Sequence, residues 1–407
     1  MNDLVKRTLK WDLMRSIPLG FIESIGTTFG VLILVRVFQG DQFSKAWVVA
    51  SPPIGLLLSL LVVQVVRRSG ITVSKAMFGL HLCSALGFLL ISINHESQLV
   101  YVLGILLGAI GLASTLPLMS QIYREHYPSE NRGKLFAYGG FVRKVFAIIA
   151  SLFGGWLLQR DLNNFHFLFG CFSIASVAMA FCVLKFDNIY LDKTTKTNIF
   201  SAFRHVKEDR EFRNLLTSWM FLGVGNLLCM ALFVEYISNE SYGYNLSEFS
   251  IGIVTTFVPE VVYLAVVLWW GSVFDKWNFY LLRGTLNLLF ALGVLIYFLG
   301  DGVWFLVIGI GIHGVAKSGG NIAWSLWINK LTRPEYVAEY MSVHTFLTGC
   351  RGVASPFISL PLALVIPPQW IAILGACLIL LATIMISPNI KFQTRRRKSS
   401  VIDRDPR

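Results

Sequence analysis

Apolar stretches of roughly 20 residues recur along the whole chain, the length at which a helix rising about 1.5 Å per residue crosses about 30 Å of hydrocarbon. Twelve are predicted, over residues 16–38, 46–66, 76–93, 99–121, 135–158, 165–186, 214–237, 249–274, 281–299, 303–328, 339–366 and 369–387. They lack the strict alternation of membrane-barrel strands and exceed their length, so the expected fold class is an all-α membrane protein of twelve transmembrane helices. With 55% hydrophobic and only 14% charged residues in a 407-residue chain, one soluble core could not cover the apolar surface.

Basic residues orient such a bundle, because short Lys- and Arg-rich loops stay in the cytoplasm. With the N-terminus inside, only Arg36, Lys45 and Arg160 fall on the outer side, while Arg143, Lys144, Lys317 and Arg351 lie deep within spans, away from their ends. Both termini are therefore expected in the cytoplasm, in a multi-pass protein of the cell (inner or plasma) membrane. The net charge of +12 follows from this topology and calls for no nucleic acid. The tail "KFQTRRRKSS" is also suited to anionic lipid headgroups. The basic-then-apolar start shows no small-residue cleavage site and reads as an uncleaved first span.

The six cysteines all fall inside predicted spans, without metal-ligand or disulfide spacing, and read as small buried hydrophobes. No phosphate-binding glycine loop and no nucleophile–base set is visible, so neither a cofactor nor an enzymatic activity is expected.

The longest polar interruption, Lys185 to Asn214, divides the chain into an N-terminal six-helix half (1–186), a cytoplasmic linker (187–213), a C-terminal six-helix half (214–390) and a basic tail (391–407). Within the linker, Asn198 could cap a short surface helix carrying Phe200, Phe203 and Val206 on one side. Gly108 and Gly314, Ile122 and Ile328, Arg124 and Lys330, and Pro128 and Pro334 recur at one constant spacing. Repeats six spans apart keep the same orientation, which favours parallel six-plus-six pseudo-repeats over inverted ones.

With that organisation, "GSVFDKWN" from Gly271 to Asn278 resembles the Gly-x-x-x-Asp-(Arg/Lys)-x-Gly signature of the major facilitator superfamily. Gly271, Asp275 and Lys276 match, and Asn278 replaces the later glycine. The corresponding first-half loop, "VVQVVRRSG", departs from it: Val63, Arg67 and Arg68 stand at the Gly, Asp and basic positions, and only Gly70 remains. The resemblance implies secondary transport by alternating access, the two halves rocking about a midplane cavity, with Asp275 gating against Arg132 at the start of span five. In the first half the charges are exchanged, so Arg67 or Arg68 is expected to pair with Glu335 or Glu339 at the start of span eleven.

Ions at bilayer depth usually face a cavity or a partner. On span ten, His313, Lys317 and Asn321 make one stripe, with Trp324 a turn beyond; on span eleven, His344, Thr348, Arg351 and Ser355 make another. Span five carries Arg143 and Lys144; neighbours point about 100° apart, which favours Arg143 alone facing inward. Opposite stand Glu23, with Thr27 a turn later, and Glu260, with Thr256 a turn earlier; Asn226 aligns with Glu23 in the repeat.

Four cations against two carboxylates leave positive charge over, which points to an anionic or polyhydroxylated small solute. The expected solute contacts are Lys317, Arg351, Arg143, Asn321, His313, Asn226, Trp324 and His344, with Glu23 and Glu260 as proton-coupling groups. The pairs Lys317–Glu260 and Arg351–Glu23 could equally be structural. A multidrug exporter, and a non-transporting sensor on the same scaffold, are the alternatives; a monomer is expected. His81 reads as a packing residue and Trp269 with Trp270 as an interfacial belt. Gly104, Gly108 and Gly111 suit close helix contact, and Pro117, Pro356 and Pro361 mark bending points.

Overall fold

Every regular element among the described residues is a helix, as lipid demands of a chain whose backbone groups can find no partners outside themselves. The structure, a computed structural model, describes residues 2–128, 131–191, 203–244, 246–327 and 337–402, and at 26–27, 132–133, 326, 337–339 and 391–402 the backbone alone.

The first long helical stretch is α1 (Asp3–Ser24), a π-helical turn (Ile25–Phe29) and α2 (Gly30–Arg36). There follow α3 (Gln42–Ser69), α4 (Val73–Ile93), α5 (Gln98–Ser114), α6 (Leu116–His126), α7 (Arg132–Arg160) and α8 (Phe165–Val183). After the linker come α9 (Arg204–Glu208), α10 (Arg210–Met230), α11 (Phe233–Ser238), α12 (Glu248–Gly252) and a second π-helical turn (Ile253–Phe257). The chain ends with α13 (Val258–Lys276), α14 (Phe279–Leu299), α15 (Val303–Leu326), α16 (Val337–Leu362) and α17 (Pro368–Ile402).

Among the described residues, ten stretches, the first Gln42–Ser69 and the last Pro368–Ile390, are long and apolar enough to cross a membrane. The first and eleventh predicted spans correspond to the helical stretches beginning at Asp3 and at Val337. Local chemistry sets several helix ends. Asp41, Thr72 and Ser97 cap α3, α4 and α5 by accepting from the backbone N–H of Ser44, Lys75 and Val100, and Gly70, at φ 69°, closes α3 in the left-handed region. Pro117, which has no N–H to give, stands at the start of α6 where the long run from Gln98 is interrupted.

The chain forms two compact units. One comprises Met1–Lys196, Ala231–Phe257 and Gly352–Pro361; the other comprises Thr197–Met230, Val258–Arg351 and Leu362–Arg407. In the first, α4 packs against both α5 and α8, and α1 against α7. The α4–α5 contact is close: a Cβ on Gly104 would lie 2.5 Å from Ile91 Cγ1 and 2.6 Å from the Gly87 carbonyl oxygen. Gly104→Val should therefore overpack this seam and cost about 1–3 kcal/mol, read as a lower unfolding midpoint in mild detergent; an unchanged midpoint would refute it. His81, on α4, is fully buried, but neither ring nitrogen has a hydrogen-bond partner among the described residues, unlike the satisfied packing residue expected.

The second unit has an aromatic core that includes Phe212, Trp219, Trp270, Trp327 and Tyr340, with Phe203 and Val206 packed against it. Trp270 corrects a sequence expectation: it is buried and donates Nε1–H to the Val315 carbonyl at 2.9 Å, while its neighbour Trp269 is exposed. An indole whose N–H finds a backbone acceptor needs no interfacial water. Asn198 and Phe200 lie outside the described residues.

Candidate solute and coupling sites

Within the first unit, backbone proximity creates the ionic site. A Cβ on Gly20 would fall 2.1 Å from the Arg143 carbonyl oxygen, so α1 and α7 touch one turn before Glu23. That contact brings a short glutamate side chain within reach of α7. Lys144 Nζ donates to Glu23 Oε1 at 2.8 Å, and Arg143 Nε stands 3.4 Å from Oε2. The side chain of Lys144 is 4% exposed, against 27% for Glu23 and 35% for Arg143. Both cations thus meet one carboxylate, correcting the expectation that Arg143 alone faces inward. The roughly 100° between neighbours is spanned by long side chains reaching the two oxygens separately.

Within the second unit, α13 and α15 approach closely where a Cβ on Gly314 would sit 2.9 Å from the Pro259 carbonyl oxygen. One turn on, Lys317 Nζ donates to Glu260 Oε1 at 3.2 Å; the Lys317 side chain is 29% exposed and that of Glu260 2%. His313 Nε2 and Asn226 Oδ1 lie 3.0 Å apart, tying α15 to α10. The stripe read on span ten is therefore real as a face, with His313 buried, Lys317 half-buried and Asn321 exposed.

Arg351 turns into the helix bundle. It is 9% exposed and donates to the Trp219 carbonyl and, at 3.3 Å, to Thr348 Oγ1. His344 is buried, accepts from Trp327 Nε1–H at 3.3 Å through Nδ1, and stands against the rings of Trp219 and Trp324. Among the residues expected to gate, Asp275 and Arg68 are exposed and Arg67 half-buried. Glu335 lies outside the described residues, as do the side chains of Arg132 and Glu339.

Sequence reasoning overlooks three polar constellations. Asp12 is fully buried on α1, accepting from Arg15 NH2 and Tyr123 Oη at 2.9 Å each and from Tyr127 Oη at 3.3 Å. The signal was available: Val5, Thr8, Asp12 and Arg15 recur at helical spacing and form one buried stripe. Lys45, read as a loop charge, is buried against Glu235, Nζ to Oε1 2.8 Å, with side chains 5% and 0% exposed. Gln42 and Asn239 also donate to that oxygen. The two π-helical turns, "IGTTF" and "IVTTF", meet through Thr28 Oγ1, which lies 2.6 Å from Thr255 Oγ1 and 2.8 Å from Thr256 Oγ1. Their repeated Thr-Thr-Phe was the legible hint.

A sequence model described as Major Facilitator Superfamily matches residues 14–258. The Multidrug resistance protein MdtH of Photorhabdus laumondii subsp. laumondii is 29% identical over 162 residues, which are 39% of this chain and 39% of that protein. The chain thus aligns with well under half of that relative's length. Among solved structures, the nucleoside transporter NupG, as its D323A mutant, is similar with a TM-score of 0.73 and 14% identity, covering 93% of this chain and 98% of that one. A POT family transporter in complex with a thioalcohol conjugated peptide reaches 0.69 at 14% identity, over 95% and 96% of the two chains. A D-xylose-proton symporter reaches 0.65 at 14% identity, over 94% and 96%. At such identities the likeness establishes the fold.

Proposed function

Because the chain belongs to the major facilitator superfamily, and is thus a multi-pass membrane transporter of small molecules rather than an enzyme, we propose that it moves an anionic or polyhydroxylated organic solute by alternating access, with both termini in the cytoplasm. The observation that carries this reading is the charge balance at Glu23: two cations converge on one carboxylate, and Arg143 keeps 35% of its side chain exposed. A half-exposed guanidinium in an apolar span is a ready partner for a carboxylate, phosphate or hydroxyl of a solute. Lys317, with Asn226, His313, Asn321 and Trp324 nearby in sequence or space, supplies the corresponding face of the second unit.

Glu23 and Glu260, each paired with a cation that a bound solute would draw away, are the coupling groups in this reading. One experiment tests solute class and coupling together. In a melting-temperature screen of the purified protein, organic anions or polyols should stabilise it, and Arg143→Gln or Lys317→Gln should remove the response. In proteoliposomes, Glu23→Gln or Glu260→Gln should abolish accumulation driven by a proton gradient and leave solute exchange intact. Responses unchanged in all four variants would overturn the reading.

The relative named a multidrug resistance protein favours a second reading, export of lipophilic compounds. Stabilisation by lipophilic cations, with none by anions or polyols, selects it.

In this reading Asp275, exposed, and Arg67, half-buried, serve the gates that the family resemblance implies. Reversing Arg67 and Arg68 to Glu should impair transport, and adding Glu335→Arg with Glu339→Arg should partly restore it; a correctly inserted quadruple variant no better than the double would reject the exchanged gate.

A further inference from the structure

We propose that the second unit holds a compact monovalent anion of the halide class beside Trp219, where Arg283 and Arg351 are buried together. Arg283 rises from α14 and is 5% exposed, its guanidinium 4.8 Å from the centre of the Trp219 ring. It makes no ion pair and no hydrogen bond among the described residues, and its Nε is a buried donor with nothing to donate to. Arg351 approaches the same tryptophan from α16, donating to its carbonyl, and the two guanidinium charges repel each other.

The surrounding polar atoms are donors as well. Trp219 Nε1–H is buried and unsatisfied. His344, whose Nδ1 accepts from Trp327, carries the proton of its neutral ring on Nε2, and that atom too is buried with no partner. Four donor groups, two of them charged, thus collect about one indole.

A buried cation without a counter-charge is strongly unfavourable, and a second cation beside it makes matters worse. An anion resolves both terms: it neutralises the pair and accepts from the orphaned N–H groups. The size limit comes from packing. A Cβ on Gly223 would lie 2.2 Å from Arg351 Cζ, so that guanidinium already fills the space up to the backbone of α10. Trp219, Trp327 and His344 close the remaining sides at ring separations of 4.2 to 5.6 Å. The site therefore suits an ion rather than an organic solute, and it is separate from the Lys317–Glu260 pair.

Bromide is the probe, replacing gluconate at constant ionic strength with the full-length protein in lipid nanodiscs. Bromide should raise the melting temperature of the unaltered protein saturably, by at least about 2 °C. Arg283→Gln should abolish the rise and be at least as stable as the unaltered protein in gluconate, since it removes a buried charge. Lys317→Gln should keep the bromide response, so the anion site and the solute reading stand or fall separately. Crystals grown in bromide should show anomalous density beside Trp219. Equal bromide responses in the unaltered protein and Arg283→Gln, or no density beside Trp219 in the unaltered protein, would overturn the proposal.

Discussion

Glu235→Ala will destabilise the folded protein by about 3–5 kcal/mol, among the largest effects expected of any single substitution here, because it strands Lys45 in a dry site. Glu235 is completely buried and one of its oxygens accepts from Lys45, Gln42 and Asn239. Removing the carboxylate leaves an ammonium 5% exposed with its counter-charge gone. Lys45→Met alone should also destabilise, since it strands the carboxylate instead. The double variant Lys45→Met with Glu235→Leu should recover to within about 1 kcal/mol of the original, because well-packed apolar side chains often replace a buried pair without loss. Denaturant unfolding of the purified protein measures all three. A cost below about 1 kcal/mol for Glu235→Ala would show that the pair is hydrated in solution and the inference wrong.

Asp12→Ala will act on the other fully buried carboxylate with a similar cost of about 3–5 kcal/mol. Here three donors lose their acceptor at once: the Arg15 guanidinium and the hydroxyls of Tyr123 and Tyr127. Tyr127→Phe should be milder, about 1.5–3 kcal/mol, because one hydrogen bond to the carboxylate is lost while Arg15 and Tyr123 still donate to it. Asp12→Ala should also loosen the first turns of α1, leaving the Thr8–His126 hydrogen bond as a remaining buried polar anchor there, so amide exchange over residues 3–15 should accelerate. Exchange unchanged there, with stability intact, would mean that the apolar contacts of Val5 and its neighbours hold the segment by themselves.

Apolar length was readable because it follows from one physical rule applied to contiguous residues. The helical fold and the family resemblance were legible in that way. The pairing of charges was legible only in part: Lys317 with Glu260 was among the pairs read from the sequence, whereas Glu23 was set against Arg351 and meets Lys144 and Arg143 instead, because pairing depends on which backbones touch. Gly20 against Arg143 and Gly314 against Pro259 decide that Glu23 meets α7 and Glu260 meets Lys317. Charge itself misled at α1: Asp12 and Arg15 look like a solvated flank until their spacing with Val5 and Thr8 is counted. Lys45 misled for the same reason, lying at the margin of an apolar run, where a cation ordinarily snorkels to water. Trp270 shows the converse, an indole near a span end that packs inward because Val315 offers it a carbonyl.

The π-helical turns at Ile25–Phe29 and Ile253–Phe257 carry a consequence for descent as well as for shape. A turn closed five residues apart rather than four holds one residue more than the helix around it requires. That surplus advances everything after it by about 100°, so α2 presents a different face from the one α1 would have continued. Two such slips, meeting at Thr28, Thr255 and Thr256, are matched: undoing either by a one-residue deletion would swing a hydroxyl away from its counterpart. Such deletions are therefore expected to travel together in diverging sequences, as paired single-residue gaps in the two Thr-Thr-Phe segments, and a lineage that closed one gap alone would have had to find a new clasp.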